Sequence, residues 1–295
     1  MSSTAEQKQR QRIVLAGSGL LTDALLAKLA ALPDDFQQPA TRLPDADSLQ
    51  DPTAVSAALA GADALFVELP AEPADPDCLT RSQTAAVNLI AGARDGGVSH
   101  VICCTAASPL RILGVSARRM DAWAQAEPLW RDSGLPVTYL VLPVLYQALL
   151  QDCLRPRRIG GHACLAIPCG GEPIDMMDAD DIAEIVLNCL QLGNGCYGRC
   201  LPLSAGKITV QQLVEILSRE LGVHVIDQKI TCEQLRSRGD AASIDLGNAF
   251  EFVLRVDQQL KRSVAERYLE PRRPVDFADW CARNREQLLA ALERP

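Results

Sequence analysis

Residues 12–26 read RIVLAGSGLLTDALL, in which a short apolar run is followed at once by a glycine turn and then by a helical pattern. Residues 13–15 form the apolar run, Gly17-Ser18-Gly19 form the turn, and residues 20–32 follow as an apolar, helix-like segment. This order of strand, glycine turn and helix is typical of a dinucleotide-binding unit. The free N–H groups and the dipole at the N-terminus of such a helix favour a bound phosphate.

The glycine pattern of this turn is incomplete. A GxGxxG pattern would place its third glycine at Thr22, and a GxxGxxG pattern would need a glycine at Leu20. Two interpretations stay open. In the first, the turn is a plain strand–helix connection that needs glycine only for its backbone conformation. In the second, the turn binds a nucleotide through Gly17, Ser18, Gly19, Leu20 and Leu21.

The composition is that of a soluble globular protein. The chain has 295 residues, of which 48% are hydrophobic and 22% are charged, enough for one large domain or two small ones. A net charge of −8 argues against nucleic acid as the main partner. The dense basic cluster of Arg155, Arg157 and Arg158 is short and is interpreted as a solvated loop. No apolar run approaches the length of a membrane span.

The cysteine usage points to a reducing compartment. The chain has 11 cysteines, an odd number, and several lie inside apolar strand or helix patterns. Residues 1–12 are polar and lack the apolar core of a secretory signal. We therefore expect reduced thiols in a cytoplasmic protein. We expect no metal site, because Cys189, Cys196 and Cys200 form no CxxC pair and His162 lies far from them in sequence.

Apolar strands and amphipathic helices alternate over the first half of the chain. The predicted strands after the first are 36–42, 64–69, 100–105 and 137–142. The predicted helices between them are 53–60, 79–95 and 117–132. This alternation predicts an α/β fold, a Rossmann-like doubly wound parallel sheet. Because such sheets bind ligands at the carboxyl ends of their strands, one rim should hold Gly17, Pro70, Thr105 and Pro143.

The chain divides into three predicted parts. Residues 1–11 are a polar tail that we expect to be disordered, and residues 12–150 form the Rossmann-like domain. Residues 151–295 form a smaller mixed α+β lobe, for substrate or partner, that packs on the first domain. Its helix at 178–192 carries Asp180 and Asp181 in the first turn, where they favour the helix dipole. Paired carboxylates also suit acid–base or metal chemistry, but capping is the preferred interpretation.

Four blocks in this order resemble the NmrA-like branch of the atypical short-chain dehydrogenase/reductase superfamily. The resemblance runs over residues 12–225. The blocks are DPTAVSAALAGADALFVELP (51–70), NLIAGARDGGVSHVICCTAAS (88–108), EPLWRDSGLPVTYLVLP (127–143) and GGEPIDMMDADDIAEIV (170–186). The resemblance implies a Rossmann domain with a small mixed C-terminal substrate lobe, and NAD or NADP as cofactor.

Two departures from the family pattern concern the cofactor. The interval from Gly17 to Asp51 is about fifteen residues shorter than in the family, which removes a helix and a strand that help to frame the adenosine. Arg42 falls where the family often ends its second strand with an arginine. An arginine there would suit a 2′-phosphate and so slightly favours NADP. Arg42 as a solvated surface residue is the alternative interpretation.

A third departure concerns catalysis. Reductases of this superfamily use a Tyr-x-x-x-Lys dyad with a nearby Ser or Thr, in which the tyrosine gives the proton. Counting back from Glu127 places Arg119 and Trp123 at the dyad positions, and neither side chain can play that part. Thr105 matches the Ser/Thr position, or is simply a strand-end threonine. The catalytic residues therefore stay unassigned, with Tyr146 and Asp121 considered as substitute donors.

Three functions are compatible with these observations. The first is an atypical NAD(P)H-dependent oxidoreductase, a reductase or isomerase acting on a small organic substrate, since the nicotinamide itself carries the hydride. The second is a non-catalytic NAD(P)-sensing protein that regulates a protein partner. The third is a scaffold that has lost nucleotide binding, for which Thr22 and the short interval after the turn are the evidence. We expect no membrane partner, and the oligomeric state stays open.

Overall fold

The structure, a computed structural model, describes residues 11–32, 40–43, 46–151, 154–256 and 265–294. The strands are β1 (Ile13–Gly17), β2 (Thr41–Leu43), β3 (Ala64–Glu68), β4 (His100–Thr105), β5 (Val137–Val141), β6 (Val144–Leu145), β7 (Arg157–Ile159), β8 (His162–Leu165), β9 (Ile174–Met177), β10 (Cys200–Pro202), β11 (Gly206–Ile208) and β12 (Val225–Asp227). The helices are α1 (Leu20–Ala30), α2 (Pro52–Leu59), α3 (Cys78–Gly96), α4 (Pro109–Leu113), α5 (Arg118–Arg131), α6 (Ala179–Leu192), α7 (Val210–Leu221), α8 (Cys232–Arg236), α9 (Ala241–Arg255), α10 (Ala265–Leu269), α11 (Phe277–Arg283) and α12 (Arg285–Leu292).

The predicted Rossmann-like fold is confirmed. Six strands form one sheet in the order β10-β5-β4-β3-β1-β2, and each neighbouring pair is parallel. Helix α1 packs against α6, and α3 packs against both α2 and α5, so that helices flank the sheet. Every residue of β1, β3 and β4 is buried, as expected for central strands covered on both faces.

The second half of the chain contributes to both parts of the molecule. Helix α6 and strand β10 return to the main sheet, where β10 forms the edge next to β5. The chain first leaves the main sheet after β5, since β6 already pairs with β9, and later residues come back to the main sheet. The division at residue 150 stays a prediction. The remaining strands form two mixed three-stranded sheets, β11-β9-β6 and β12-β8-β7. These sheets and helices α7 to α9, α11 and α12 build a second core around residues such as Leu213, Leu217, Phe250 and Trp280, whereas α10 packs on α6 in the first core.

Two local predictions differ from the structure at the start of the chain and after β4. The predicted second strand at 36–42 is Thr41–Leu43 in the structure. Residues 33–39, and residues 1–10 of the tail predicted at 1–11, lie outside the described residues. The predicted loop at 106–116 contains the short helix α4. Ser108 begins this helix because its side chain accepts the Arg111 N–H and a proline occupies the first helical position.

The basic cluster at Arg155 is not a solvated loop. Arg155 is only 5% exposed and donates to the main-chain oxygens of Ala291 at 2.9 Å and Arg294 at 3.0 Å. Arg158 pairs with Glu293 at 2.8 Å. These side chains therefore fasten the C-terminal helix α12 to the lobe.

The thiols of the described residues are free, and most are buried. Cys200 is exposed and Cys232 is half-buried, whereas the other eight described cysteines are buried. Burial raises the pKa of Cys169 and of Cys281 to about 12. Over the described ranges, no group of three or more His, Cys, Asp or Glu side chains is arranged to hold a metal ion. Within the same ranges, no helix has the length and apolar character needed to cross a membrane.

His100 lies buried at the N-terminal end of β4. Its ring is 3% exposed and packs edge-on against Tyr197, with ring centroids 4.7 Å apart. The Thr138 hydroxyl donates to the Cys196 oxygen at 2.8 Å, so it accepts from His100 Nε2 at 2.9 Å. Nδ1 of His100 is buried and has no partner. Protonation would leave a charged N–H unpaired, and burial lowers the pKa of His100 to about 4.

This arrangement predicts a pH-dependent loss of stability. The unfolded chain takes up a proton at His100 near pH 6.5, whereas the folded chain does so only near pH 4. The stabilisation present above pH 6.5 is therefore lost as the pH falls through this window. We expect His100→Gln to abolish roughly 2–3 kcal/mol of this pH-dependent loss in urea unfolding between pH 7 and pH 4.5. The exposed His162→Gln should keep the wild-type dependence, and identical slopes for wild type and His100→Gln would contradict the interpretation.

Candidate functional site

The parallel topology brings the predicted site residues to one edge of the main sheet. The predicted contacts are strand ends or follow them directly: Gly17 ends β1, Arg42 lies in β2, Pro70 follows β3, Thr105 ends β4 and Pro143 follows β5. Ser18 is exposed in the turn and Leu20 is half-buried. Leu21 is fully buried in the core, so only its main chain is left for a ligand.

Gly17 is required by the close approach of β3. Its φ is +138°, and a Cβ atom there would lie 2.1 Å from the main-chain oxygen of Glu68. No side chain can occupy that space without moving the backbone of β3. The first glycine of the turn therefore has a structural function that does not depend on a ligand.

The Glu68 carboxylate occupies the N-terminus of α1. Glu68 is the last residue of β3 and is 6% exposed. Its Oε2 accepts the backbone N–H of Thr22 at 2.9 Å and the Thr22 hydroxyl at 2.6 Å. A Cβ atom on Gly19 would lie 1.9 Å from Glu68 Oε1, so the carboxylate lies directly over this glycine. Because Gly19 is the N-cap residue and offers no side chain, Glu68 caps the helix from the neighbouring strand.

The surroundings of Glu68 have opposing effects on the pKa of its carboxyl group. Burial is the largest effect and raises the pKa of the carboxyl group above its ordinary value. The two hydrogen bonds from Thr22 and the positive charge of Arg119 lower the pKa, and Asp23 raises it. The net direction is upward. The helix dipole and the Thr22 donors nevertheless make this the place near the turn where an anion is best accommodated.

Arg42 lies beside the same turn. Its Nε donates to the Gly17 oxygen at 3.2 Å, and its Nη2 pairs with Asp23 at 2.9 Å. The Arg42 side chain is 27% exposed. Arg42 is therefore a half-buried residue that braces the outer side of the turn, with its guanidinium close to the end of β1.

The side chains at the two dyad positions, Arg119 and Trp123, lie in different environments. The Trp123 indole N–H donates to the Leu69 oxygen at 2.9 Å and is buried. Arg119 is exposed near the start of α5. Thr105 donates its hydroxyl to Glu127, and Glu127 in turn pairs with Arg131 at 2.6 Å. The threonine of the predicted site therefore positions a surface ion pair.

The two candidate substitute proton donors, Tyr146 and Asp121, both have their polar side-chain atoms bonded within the protein. Tyr146 is 4% exposed, packs with its ring centroid 5.2 Å from that of Phe277, and directs its hydroxyl to the Val275 oxygen at 3.4 Å. Burial raises the pKa of Tyr146 well above its ordinary value. Asp121 is fully buried, and it accepts from Ser108 at 2.6 Å and from Ser116 at 2.8 Å. Asp121 thus holds the loop around α4, and Tyr146 belongs to the core of the C-terminal lobe.

Sequence reasoning missed Glu68. The strand ALFVE is apolar except for this one carboxylate at its end. A charged residue that closes a buried strand at the ligand-binding edge is an available signal, because buried carboxylates need donors. The donors are supplied by Thr22, the residue that replaces the third glycine of the pattern. The departure in the glycine pattern and the unusual strand-end acid are thus two halves of one contact.

A sequence profile of the NmrA-like family matches residues 29–280. The chain belongs to the NmrA-like family. The match begins inside α1, after the glycine turn, and it extends beyond the residue-225 end of the resemblance found from sequence. The family assignment made from the four sequence blocks is therefore confirmed.

Solved structures of low sequence identity share the whole fold. NmrA, a negative transcriptional regulator solved in complex with NAD, superposes with a TM-score of 0.73 at 13% identity, covering 97% of this chain and 99% of that chain. The Citrobacter sp. triphenylmethane reductase complexed with NADP(H) gives 0.71 at 15% identity, covering 95% and 100%. An NADPH-dependent quinone oxidoreductase from Escherichia coli complexed with NADPH gives 0.65 at 18% identity, covering 92% and 99%.

The space over Gly19 at the N-terminus of α1, which we call the cradle, does not fit a dinucleotide while the Glu68 carboxylate lies in it. A Rossmann fold holds the pyrophosphate against the second glycine and the helix N-terminus. In this chain the Glu68 carboxylate lies against Gly19 and accepts the Thr22 N–H. A second anion at the same place would meet like charge in a buried setting and would find the Thr22 donors already used.

The contact between Gly19 and Glu68 predicts strong coupling between two substitutions. Gly19→Ala should destabilise the fold by about 1–3 kcal/mol, because the new methyl group meets the carboxylate. In a Glu68→Ala background that cost should fall by at least about 1 kcal/mol, since the methyl group then has room. Urea unfolding of the wild type, both single variants and the double variant measures this coupling. Additive effects would show that Glu68 does not lie over Gly19.

Proposed function

We propose that this protein is a non-catalytic regulatory member of the NmrA-like family that takes NAD(P) as a ligand and controls a protein partner. The observation that supports this proposal is the state of the candidate proton donors. Thr105 is bonded to Glu127, Asp121 to two serines, and Tyr146 to the core of the C-terminal lobe. Trp123 replaces the dyad lysine and bonds to a main-chain oxygen. Reduction of a small organic substrate by a bound nicotinamide would therefore lack a proton donor among these side chains.

NAD(P) is the ligand class because the fold neighbours were solved with these molecules. NmrA structures contain NAD or NADP, and the triphenylmethane reductase contains NADP(H). Arg42 beside the end of β1 favours NADP over NAD. When bound, a nicotinamide dinucleotide would supply hydride chemistry. The residues of this chain would bind and orient the dinucleotide at the turn, and none of them would transfer a proton.

A protein partner follows from the comparison with NmrA, whose described function is negative transcriptional regulation. The net charge of −8 disfavours direct contact with nucleic acid. The buried, reduced cysteines suit a cytoplasmic location. The atypical reductase, with a small organic substrate, is the alternative, and the two functions differ in one measurable respect, which is turnover.

The test combines binding with turnover. NADPH, NADP, NADH and NAD are titrated into the full-length protein by calorimetry, and NADPH oxidation is then followed with quinones and triphenylmethane dyes. We expect saturable binding, with NADPH preferred, and no oxidation above the rate without protein. Turnover with any of these acceptors would overturn the non-catalytic assignment, and absence of saturable binding would overturn the ligand assignment.

A matched pair of variants locates the ligand in the binding titrations. Arg42→Gln should weaken NADPH binding roughly tenfold and leave NADH binding nearly unchanged, because only NADPH carries the 2′-phosphate. Arg111→Gln, on the exposed surface of α4, removes the same charge away from the turn. Equal losses for the two variants, or an equal loss of NADH binding in Arg42→Gln, would contradict the location of the adenosine end beside Arg42.

A further inference from the structure

The anion cradle of this Rossmann fold has an occupant from the protein itself. The carboxylate of Glu68 is buried, lies over Gly19, and takes both donors that Thr22 presents. A phosphate held against Gly19 at the N-terminus of α1 would need the same space above the glycine. The carboxylate and the phosphate are therefore mutually exclusive.

Several helices are capped by the side chain of their own N-cap residue, whereas α1, α3 and α5 are not. Helices α2, α6 and α7 begin at Asp51, Asp178 and Thr209, each of which caps its own helix with its side chain. Helix α1 begins at Gly19, which has no side chain to offer. Its N-terminal donors must be satisfied from elsewhere, and Glu68 of the adjacent strand does so.

Moving the Glu68 carboxylate away from the N-terminus of α1 costs free energy because the same hydrogen bonds are lost. If the carboxylate leaves, the Thr22 N–H and hydroxyl lose their acceptor in a buried setting, which is unfavourable unless another acceptor arrives. A pyrophosphate oxygen is such an acceptor. Arg119 places a positive charge near Glu68 from helix α5, and Asp23 places a negative one on α1. Replacing the carboxylate by a pyrophosphate oxygen would keep the two Thr22 donors hydrogen-bonded.

We propose that Glu68 is an intramolecular competitor for the dinucleotide pyrophosphate, so that NAD(P) binds only when the Glu68 carboxylate leaves the N-terminus of α1. This inference rests on the proposed NAD(P) ligand and adds its regulation. It makes the chain a two-state device, with a closed cradle that holds Glu68 and an open cradle that holds the ligand. The apparent affinity is then reduced by the fraction of molecules in which the cradle is open.

The experiment compares NADPH affinity in four proteins by fluorescence or calorimetric titration. The proteins are the wild type, Glu68→Ala, Glu68→Gln and Glu72→Gln. Glu68→Ala empties the cradle, whereas Glu68→Gln keeps the shape of the side chain and removes only its charge. Glu72 is exposed in the loop after β3, so Glu72→Gln changes the net charge equally without touching the cradle. Thermal unfolding checks that each variant is folded, and the near-isosteric Glu68→Gln serves if Glu68→Ala is not.

We expect Glu68→Ala to bind NADPH roughly ten- to a hundredfold more tightly than the wild type, as removal of a competitor with one or two charge-assisted hydrogen bonds implies. Glu68→Gln should bind at least several-fold more tightly, and Glu72→Gln should match the wild type. Equal affinity in the wild type and both Glu68 variants would overturn the inference and leave the proposed function intact. An equal gain in Glu72→Gln would also overturn it, because the effect would then be one of overall charge.

The remaining outcomes separate the inference from the proposed function. Binding by the Glu68 variants alone, with none by the wild type, would support the competitor and overturn the proposal that this protein responds to NAD(P). Absence of binding in all four proteins would overturn both.

Discussion

The contact between the Glu68 carboxylate and the N-terminus of α1 is the constraint on which the candidate site depends. Strand β3 pairs with β1 so that Glu68 lies opposite Gly17, and only glycine tolerates that approach. Gly19 leaves the space that the carboxylate fills, and Thr22 supplies its two donors. The features that make a helix N-terminus attractive to phosphate, free N–H groups and a positive dipole end, are equally attractive to a buried carboxylate.

The rest of the rim follows the same pattern of polar groups used for structure. Trp123 bonds to the main chain after β3, Thr105 to Glu127, and Asp121 to the loop that carries α4. Positions 105 and 123 are ones where the Ser/Thr and the dyad lysine of the superfamily's reductases would fall, and position 121 was considered for a substitute donor. The polar groups along this rim are therefore engaged with the protein itself.

The sequence predicts the architecture well because the fold depends on local patterns. Strand β4 has its predicted bounds, and the strand-end rule brings Gly17, Pro70 and Thr105 to one edge without knowledge of any contact. The role of Glu68 does not follow from such patterns, because it joins residues 46 positions apart and depends on the spacing of β1 and β3. Helix α4 was missed since five residues carry little periodicity, and the burial of Arg155 depends on where α12 packs.

The most direct measurement is the pH dependence of the Thr22 backbone amide chemical shift, recorded by NMR in the wild type and in Glu68→Gln. Since this amide donates to Glu68, we expect its shift in the wild type to titrate with a midpoint above the ordinary glutamate value of 4.5. In Glu68→Gln we expect no such titration. A Thr22 amide that is insensitive to pH in the wild type, or that titrates identically in both proteins, would show that the carboxylate does not cap α1.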